Sequence, residues 1–252
     1  MHDAGTHDFT LPPLPARTRR VLVFIAMEAE AAPVAAALSL SRIASVAGVP
    51  ARAGMVAGVE TTLVSAGLDP VAGVDRIGPV HAAALLSAAL REPFDLVVNL
   101  GTAGGFESQG LGIADLVLAR DTMFHNARVA LAGFDRIARA RTRLSPSESQ
   151  LSAIAARLDA RVGLASTGSS LDATADEIAL FARERTLAKD MELAALAVVC
   201  RMHAVPLAAL KGVTDLVDHH EPAHEAFVRN LARTSRRVAD ASGLLIESLA
   251  AP

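Results

Sequence analysis

Short β-branched runs alternate with longer alanine-rich stretches along the chain. The short runs predict strands, and the longer stretches, several with Ser, Asp or Pro near their starts, predict helices. The expected strands are residues 21–26, 61–66, 95–100, 115–119 and 207–213. The expected helices are residues 28–38, 79–91, 147–158, 187–203 and 222–249. This alternation indicates an α/β protein whose mainly parallel or mixed sheet is covered by helices.

Polar residues stand out where three of the expected strands end. The strand over 21–26 runs into Ala-Met-Glu-Ala-Glu, the strand over 95–100 into Gly-Thr-Ala-Gly-Gly, and the strand over 207–213 into Thr-Asp-Leu-Val-Asp. Ligands of open α/β sheets bind outside the carboxyl ends of strands, so these segments are the first candidates for a site. The glycine-rich segment matches neither a dinucleotide fingerprint nor a P-loop, and it is interpreted equally well as a strand-exit turn or a ligand cradle.

Three acidic residues need an explanation. Glu192 lies in an apolar stretch expected to be helical, and Asp215 ends an apolar strand. Burying a carboxylate costs several kcal/mol, roughly, unless it is hydrogen-bonded or functional, so the pair favours an active site. Glu30 opens an expected helix, where the helix dipole alone favours an acid. Asp215 is also compatible with a turn or an N-cap.

Length and charge limit the possible functions. A chain of 252 residues accommodates one large domain, which we expect over 20–252 after a flexible tail over 1–19. The net charge is −3, there is no basic stripe, and no Trp or Tyr is present to stack on bases. A nucleic-acid partner is therefore not expected, and a small-molecule substrate is.

The most apolar part of the chain is not expected to span a membrane. The most apolar stretch, 194–210, contains Arg201, His203 and Pro206, and so lacks the roughly 20 continuous apolar residues of a membrane span. No secretory pattern opens the chain, so we expect a soluble, cytoplasmic protein without a membrane partner.

His220 and His224 are spaced like zinc ligands, but the neighbouring acid is placed differently and Pro222 starts a helix there. We expect no metal and no cofactor.

Several segments together resemble the nucleoside phosphorylase and nucleosidase superfamily, and within it the 5'-methylthioadenosine/S-adenosylhomocysteine nucleosidases. They are Ala-Met-Glu-Ala-Glu at 26–30, Asn-Leu-Gly-Thr-Ala-Gly-Gly-Phe at 99–106, Gly-Ile-Ala-Asp at 112–115, Ser-Thr-Gly-Ser-Ser-Leu-Asp at 166–172, Lys-Asp-Met-Glu at 189–192 and Lys-Gly-Val-Thr-Asp-Leu-Val-Asp at 211–218. The later segments are most similar to the plant-type branch. The resemblance implies a single α/β domain with a central mixed, partly barrel-like sheet flanked by helices.

The resemblance also implies hydrolysis of 5'-methylthioadenosine to adenine and the thio-substituted ribose, with S-adenosylhomocysteine left open as a second substrate. It assigns water activation to Glu30, protonation of purine N7 to Asp215, and the ribose hydroxyls to Glu192 with Met191. Cleaving an N-glycosidic bond requires one protonated and one ionised acid. Burial is expected to raise the pKa of Asp215, whereas Glu30, nearer to water and the helix dipole, is expected to stay a base.

Further binding residues follow from the same resemblance. Around the ribose and base it places Ala103, Gly104, Leu171 and Asp172, the last through its backbone, and it gives Thr214 the role of supporting the catalytic acids. The family commonly forms homodimers in which the neighbouring subunit closes the pocket, and Phe134, in the irregular segment 122–146, is the candidate for that contact. Many relatives have an aromatic residue where this chain has Leu171 and an Asp or Asn where it has Ser169, so the contacts to the base are expected to differ.

Alternative functions remain within and outside catalysis. A purine nucleoside phosphorylase or a futalosine hydrolase would share the fold, but a carboxylate at the first strand's exit would repel phosphate, which favours water as the nucleophile. A nucleoside-binding relative without activity is the other alternative. The presence of Glu30, Glu192 and Asp215 together argues against it.

Overall fold

The computed structural model describes residues 8–251, which form one mixed sheet covered by helices. The strands are β1 Phe9–Thr10, β2 Arg20–Ile25, β3 Ser41–Val46, β4 Val49–Val56, β5 Val59–Ser65, β6 Leu96–Gly105, β7 Leu116–Phe124, β8 Thr142–Arg143, β9 Ala160–Thr167, β10 Thr186–Asp190 and β11 Leu207–Leu216. The helices are α1 Glu28–Ala37, α2 Pro79–Ala89, α3 Phe134–Ala138, α4 Glu148–Leu158, α5 Ala175–Glu184, α6 Leu193–His203 and α7 Ala223–Ala250.

Part of the sheet closes on itself. Strand β6 pairs with β11, β11 with β7, β7 with β9, β9 with β10, and β10 again with β6. The flanking strands β2, β5, β4 and β3 extend the sheet beyond β6, and β8 and β1 extend it beyond β7. This closed, mixed barrel with flanking helices confirms the predicted fold class.

The barrel strand β6 and its neighbour β2 are buried on both faces. Strands β2 and β6 consist almost entirely of buried residues, which is typical of parallel strands covered by helices on either side. Helix α7 packs on α1 and β11, and α2 packs on α6. The carboxyl ends of β2, β6 and β11 consequently open toward the same edge, because these strands run parallel.

The predicted elements need corrections where barrel pairing overrides local sequence. The stretch 187–203 is not one helix, because Thr186–Asp190 pairs with β9 and β6 and only Leu193–His203 is helical. The glycine-rich segment after Leu100 is not an exit turn, since β6 continues to Gly105. Strands β1, β3, β4, β8, β9 and β10 and helices α3 and α5 were not predicted.

The amino-terminal region is described from residue 8 onward, and residues 1–7 of the expected tail lie outside the described part. Phe9–Thr10 pairs with β8, and the side chains of Leu11 and Thr18 are buried. The described part of the expected tail is thus packed on the domain. Between residues 8 and 251, no helix has the length and apolar character needed to cross a bilayer.

Candidate active site

A cleft of about 770 Å³, counting its open mouth, lies at the carboxyl ends of β2, β6 and β11 and beside the junction of β10 and α6. Most of the residues expected from the sequence line it. These are Glu30, Ala103, Gly104, Leu171, Met191, Glu192, Thr214 and Asp215. Three acids distant in sequence therefore share one cavity.

Glu30 is the third residue of α1, directly after the exit of β2. Its Oε1 accepts hydrogen bonds from the backbone N–H (2.7 Å) and the hydroxyl (2.6 Å) of Thr102, and among the described residues Oε2 accepts only the Met27 N–H, at 3.4 Å. The side chain is buried, which corrects the expectation that it lies near water. Burial raises its pKa, while the Thr102 hydrogen bonds and the charge of Lys211 act in the opposite direction.

Glu192 is the residue before α6, not a residue inside a helix. Because β10 ends at Asp190, the chain turns at Met191 and directs the Glu192 carboxylate into the cleft, where Oε1 accepts the N–H of Gly78 at 2.8 Å. Burial raises the pKa of Glu192 to about 7, with Lys211 opposing the shift and Asp190 adding to it. Burial thus favours the protonated form of this acid.

A buried ion pair lies between these acids, and the sequence interpretation gave it no role. The Lys211 ammonium is 2.7 Å from Asp190 Oδ2, and both side chains are almost fully inaccessible. Burial opposes the charge on Lys211, but Asp190, Glu192 and Glu30 together outweigh burial and raise its pKa. We call Glu30, Asp190, Glu192 and Lys211 the Lys211 cluster. A lysine inside an apolar strand was the signal that could have identified it.

Asp190 is held by more than the ion pair. Its Oδ1 accepts the hydroxyl of Thr167 at 2.5 Å, and its Oδ2 also accepts the N–H of Leu193 at 2.9 Å. The Thr167 hydroxyl in turn accepts the N–H of Ala194 at 2.8 Å. The first N–H groups of α6 are thereby satisfied by the same network that fixes Lys211.

Asp215 lies in β11, where the pairing with β6 shifts by one residue between Val213 and Asp215. The Thr214 hydroxyl lies 2.8 Å from Asp215 Oδ1 and 3.2 Å from the Ala103 carbonyl oxygen. Burial raises the pKa of Asp215, and the Thr214 hydrogen bond and the charge of Lys189 act against that rise. A Cβ on Gly104 would be 2.9 Å from Asp215 Oδ2 and 2.6 Å from Val217, so only glycine leaves room for this acid.

Leu171 and Lys189 border the cleft near Asp215. The Lys189 ammonium donates to the carbonyl oxygens of Ser170 and Leu171, the latter at 3.0 Å. We call Thr214, Asp215, Leu171 and Lys189 the Asp215 side of the cleft. Asp172 does not line the cleft, and its side chain is exposed at the surface of the same segment.

Phe134 does not line the cleft within one chain; it lies on α3 and is 60% exposed. The aromatic residue that does line it is Phe227, in the first turns of α7, together with Ile77 ahead of α2. Neither position carried a sequence signal, because both depend on how α2 and α7 fold over the strand ends. Within the described residues, no three His, Cys, Asp or Glu side chains are grouped to hold a metal.

Comparisons with known proteins agree with this architecture. Residues 20–249 match the family model described as the phosphorylase superfamily. The chain is 34% identical to the 5'-methylthioadenosine nucleosidase of Arabidopsis thaliana, over 91% of this chain and 89% of that protein. It is also 34% identical to the Arabidopsis 5'-methylthioadenosine/S-adenosylhomocysteine nucleosidase, over 73% and 72%. The solved apo structure of Arabidopsis 5'-methylthioadenosine nucleosidase superposes with a TM-score of 0.86 at 30% identity, covering 92% of this chain and 96% of that one.

Proposed function

The chain belongs to the phosphorylase superfamily, and we propose that it hydrolyses the N-glycosidic bond of 5'-methylthioadenosine, as the names of its Arabidopsis relatives state for them. The observation that carries the proposal is the convergence of Glu30, Glu192 and Asp215 on one cleft. The products would be adenine and the 5-thio-substituted ribose. Water would be the nucleophile.

Asp215 is proposed as the acid that protonates purine N7. The Thr214 hydroxyl lies within hydrogen-bond distance of the Ala103 carbonyl oxygen and of Asp215 Oδ1. This arrangement leaves Asp215 Oδ2 as the oxygen that would carry the proton. Burial, which raises the pKa of Asp215, favours the same protonated state. A neutral carboxylic acid is the form that can deliver a proton to a poor leaving group.

Glu30 is proposed as the base that activates water. Thr102 occupies Oε1 with two hydrogen bonds, which leaves Oε2, with its single long contact to Met27, to accept a proton from water. A raised pKa makes the carboxylate a stronger base, and the charge of Lys211 keeps it ionisable. An anion in this position also stabilises the positive charge that develops on the sugar.

Glu192 is proposed to hold the ribose hydroxyls. Its Oε1 accepts the Gly78 N–H, and among the described residues no hydrogen bond is donated to its Oε2. A carboxylate oxygen without a donor, such as Glu192 Oε2, can accept hydrogen bonds from the two hydroxyls of a ribose. Met191 also lines the cleft. This contact would orient the anomeric carbon between Glu30 and Asp215.

Hydrolysis is favoured over phosphorolysis by the charges of the cleft. A phosphate dianion requires arginines or free backbone amides, and none of the described residues that line the cleft is an arginine. Lys211 is paired with Asp190, and Lys189 is bound to carbonyl oxygens. Phosphate would therefore meet the carboxylates of Glu30 and Glu192 without an arginine to bind it.

The methylthio group is the proposed 5'-substituent. Met27, Ile77 and Phe227 supply apolar and polarisable surface to the cleft, which suits a thioether. A homocysteine tail carries an ammonium and a carboxylate that this surface would not bind. We expect a higher kcat/KM for methylthioadenosine than for adenosylhomocysteine.

A homodimer is proposed to complete the cleft. Leu131, Phe134 and Ile137 are each at least 60% exposed and lie close together in sequence on and before α3. A second copy would bury them and bring an aromatic side chain toward the neighbouring cleft. Sedimentation would test the dimer, and Phe134→Ala should raise KM and weaken association together. A monomeric wild-type protein with full activity would contradict it.

The decisive experiment measures free base and sugar products from methylthioadenosine, adenosylhomocysteine and inosine, with and without phosphate. Adenine and a free thio-sugar, unaffected by phosphate, are expected. Asp215→Asn and Glu30→Gln should each lower kcat by about 10²- to 10⁴-fold, the usual range for losing an acid or base. Phosphate-dependent formation of a sugar phosphate would instead identify a phosphorylase.

Asp218→Asn is the matched control for Asp215→Asn. Asp218 is in the same motif but accepts the N–H groups of Glu107 and Ser108 and does not line the cleft. Its substitution should leave kcat near the wild-type value. Equal losses in both variants would refute the assignment of Asp215 as the acid.

A further inference from the structure

Lys189 is a buried cation for which the reaction described above gives no role. It lies in β10, its side chain is almost inaccessible to bulk solvent, and it borders the cleft. Its ammonium donates to the carbonyl oxygens of Ser170 and Leu171 and forms no close ion pair among the described residues. A charge buried against neutral carbonyls is costly, so its position calls for an explanation.

The carbonyls that it holds belong to the segment 168–173, which connects β9 to α5. The Gly168 N–H donates to the Asp190 carbonyl at 3.1 Å, and Thr174 caps α5 at the other end. Between these ends Ser169 and Ser170 are exposed, and Leu171 is 39% exposed while still lining the cleft. Among the hydrogen bonds of the described residues, the two from Lys189 hold the middle of the segment and its leucine in place.

The charges around Lys189 come from every element that packs against it. They are Asp215 of β11, Glu177 of α5, Asp172 of the segment 168–173, Asp190 of its own strand and His125 just after β7. Among the carboxylates, Asp215 acts on the ammonium most strongly. Burial lowers the pKa of His125 to about 4, so this imidazole is neutral near pH 7 and adds no charge.

Fewer groups affect the pKa of Asp215 than affect the pKa of Lys189. The Thr214 hydroxyl and Lys189 are the two partners that lower its pKa against the effect of burial. Lys189 is thus the cation that acts on the proposed acid, whereas Lys211 acts on Glu30 and Glu192.

We propose that Lys189 is a positioning residue for the purine base: it fixes Leu171 at the cleft wall and keeps an ammonium in the cleft that it shares with Asp215. This inference rests on the function proposed above, in which the carboxyl proton of Asp215 moves to purine N7 as the C–N bond breaks. The electrons of that bond pass to the base, and Asp215 is left as a carboxylate. The ammonium stabilises that carboxylate without gaining or losing a proton.

Three substitutions separate the two parts of this role. Lys189→Met removes both the charge and the donors, Lys189→Gln keeps an N–H donor without charge, and Lys189→Arg keeps the charge. Without the cation the acid is weaker, so the alkaline limb of the kcat/KM profile should move to higher pH by about one pH unit. The maximal kcat should fall roughly ten-fold, because a weaker acid transfers its proton less readily.

The variants should divide as follows. Lys189→Met and Lys189→Gln should both shift the alkaline limb, and Lys189→Arg should not. Lys189→Met alone should also raise the dissociation constant of adenine, because Leu171 is no longer held. A purely structural role would lower activity in all variants without moving the limb. An unshifted limb in both uncharged variants, with thermal unfolding unchanged, would overturn the proposal.

One measurement does not depend on turnover. Carboxyl carbon NMR, with the Asp215 resonance assigned from Asp215→Asn, gives the pKa of Asp215 in the wild type and in Lys189→Gln. A higher pKa in the variant supports the inference even if methylthioadenosine is not the substrate. An unchanged pKa refutes it while leaving nucleoside hydrolysis by the wild type as a separate result.

Discussion

The two sides of the cleft each contain a buried lysine, but in opposite circumstances. In the Lys211 cluster the ammonium is surrounded by Asp190, Glu192 and Glu30, and its pKa is raised although burial acts against its charge. On the Asp215 side, Lys189 is bound to neutral carbonyls, and burial lowers its pKa.

The comparison distinguishes charges that stabilise the fold from a charge that sets the acidity of Asp215. The acids of the Lys211 cluster and their lysine compensate one another, so removing one member leaves the others buried without balance. The Asp215 side has one acid and one cation that form no close ion pair with each other, so a change there should alter proton affinity more than folding. The cleft thus combines a stabilising network with a site at which acidity is set.

Lys211→Met should have the largest effect on stability. Asp190 and Glu192 would remain buried without their cation, and breaking a buried pair in this way costs about 3–5 kcal/mol. Urea unfolding measures the loss. The variant Lys189→Met should lose clearly less, because it leaves carbonyls and no tightly paired carboxylate behind.

A double-mutant cycle with Asp190→Asn sharpens that prediction. If the cost of Lys211→Met arises from unbalanced charge, the double variant should be more stable than the sum of the single losses predicts. Strict additivity would contradict this prediction, because it would show that Lys211 and Asp190 contribute independently to the free energy of unfolding and that their ion pair has no coupling energy.

Gly104→Ala should damage the Asp215 side specifically. The added Cβ would overlap Val217 and approach Asp215 Oδ2, which forces the acid out of position. We expect a stability loss of about 1–3 kcal/mol and a fall in kcat of about 10²-fold. Gly243→Ala is the control: its Cβ would meet Leu38 at an ordinary 3.6 Å within α7, and alanine favours a helix. Full activity in Gly104→Ala would contradict the packing argument.

Much of the fold was predictable because local patterns and tertiary packing agree in it. The positions of β2, α1, α2 and α7 follow from a short apolar run and from alanine-rich stretches, and they end within a few residues of the expected bounds. The prediction of one helix over 187–203 was wrong because the first residues are apolar enough for either a helix or a strand. Only pairing with β9 and β6 makes them a strand. Such long-range pairing is not encoded in a local pattern.

The candidate site was predictable in part for a similar reason. Glu192 and Asp215 stood out because acids in apolar surroundings are unusual, Glu30 was assigned through the family resemblance, and all three line the cleft. Lys211 carried the same signal but was not assigned a role. Phe227 reaches the cleft only through the course of α7, which no residue spacing indicates.

Glu192→Gln tests whether an acid of the Lys211 cluster is protonated in the native state. Burial raises its pKa from 4.5 to about 7, so between these values the folded protein retains a proton that the unfolded chain loses. Stability from this group is therefore present at low pH and lost as pH rises, by at most about 1.4 kcal/mol per pH unit. The variant should lack this slope in urea unfolding, whereas exposed Glu225→Gln should keep it.

Leu171→Phe should give the smallest effect, and it sharpens the contrast because it changes the Asp215 side without touching a charge. Leu171 is 39% exposed at the cleft wall, so a larger ring has room to lie against the base. An aromatic contact adds about 0.5–1.5 kcal/mol, which predicts adenine binding roughly two- to ten-fold tighter by calorimetry. Leu68→Phe, exposed and outside the cleft lining, is the control and should leave the affinity unchanged. Weaker binding in Leu171→Phe would mean that the base does not lie against residue 171, and the role of Lys189 in holding that residue would lose its reason.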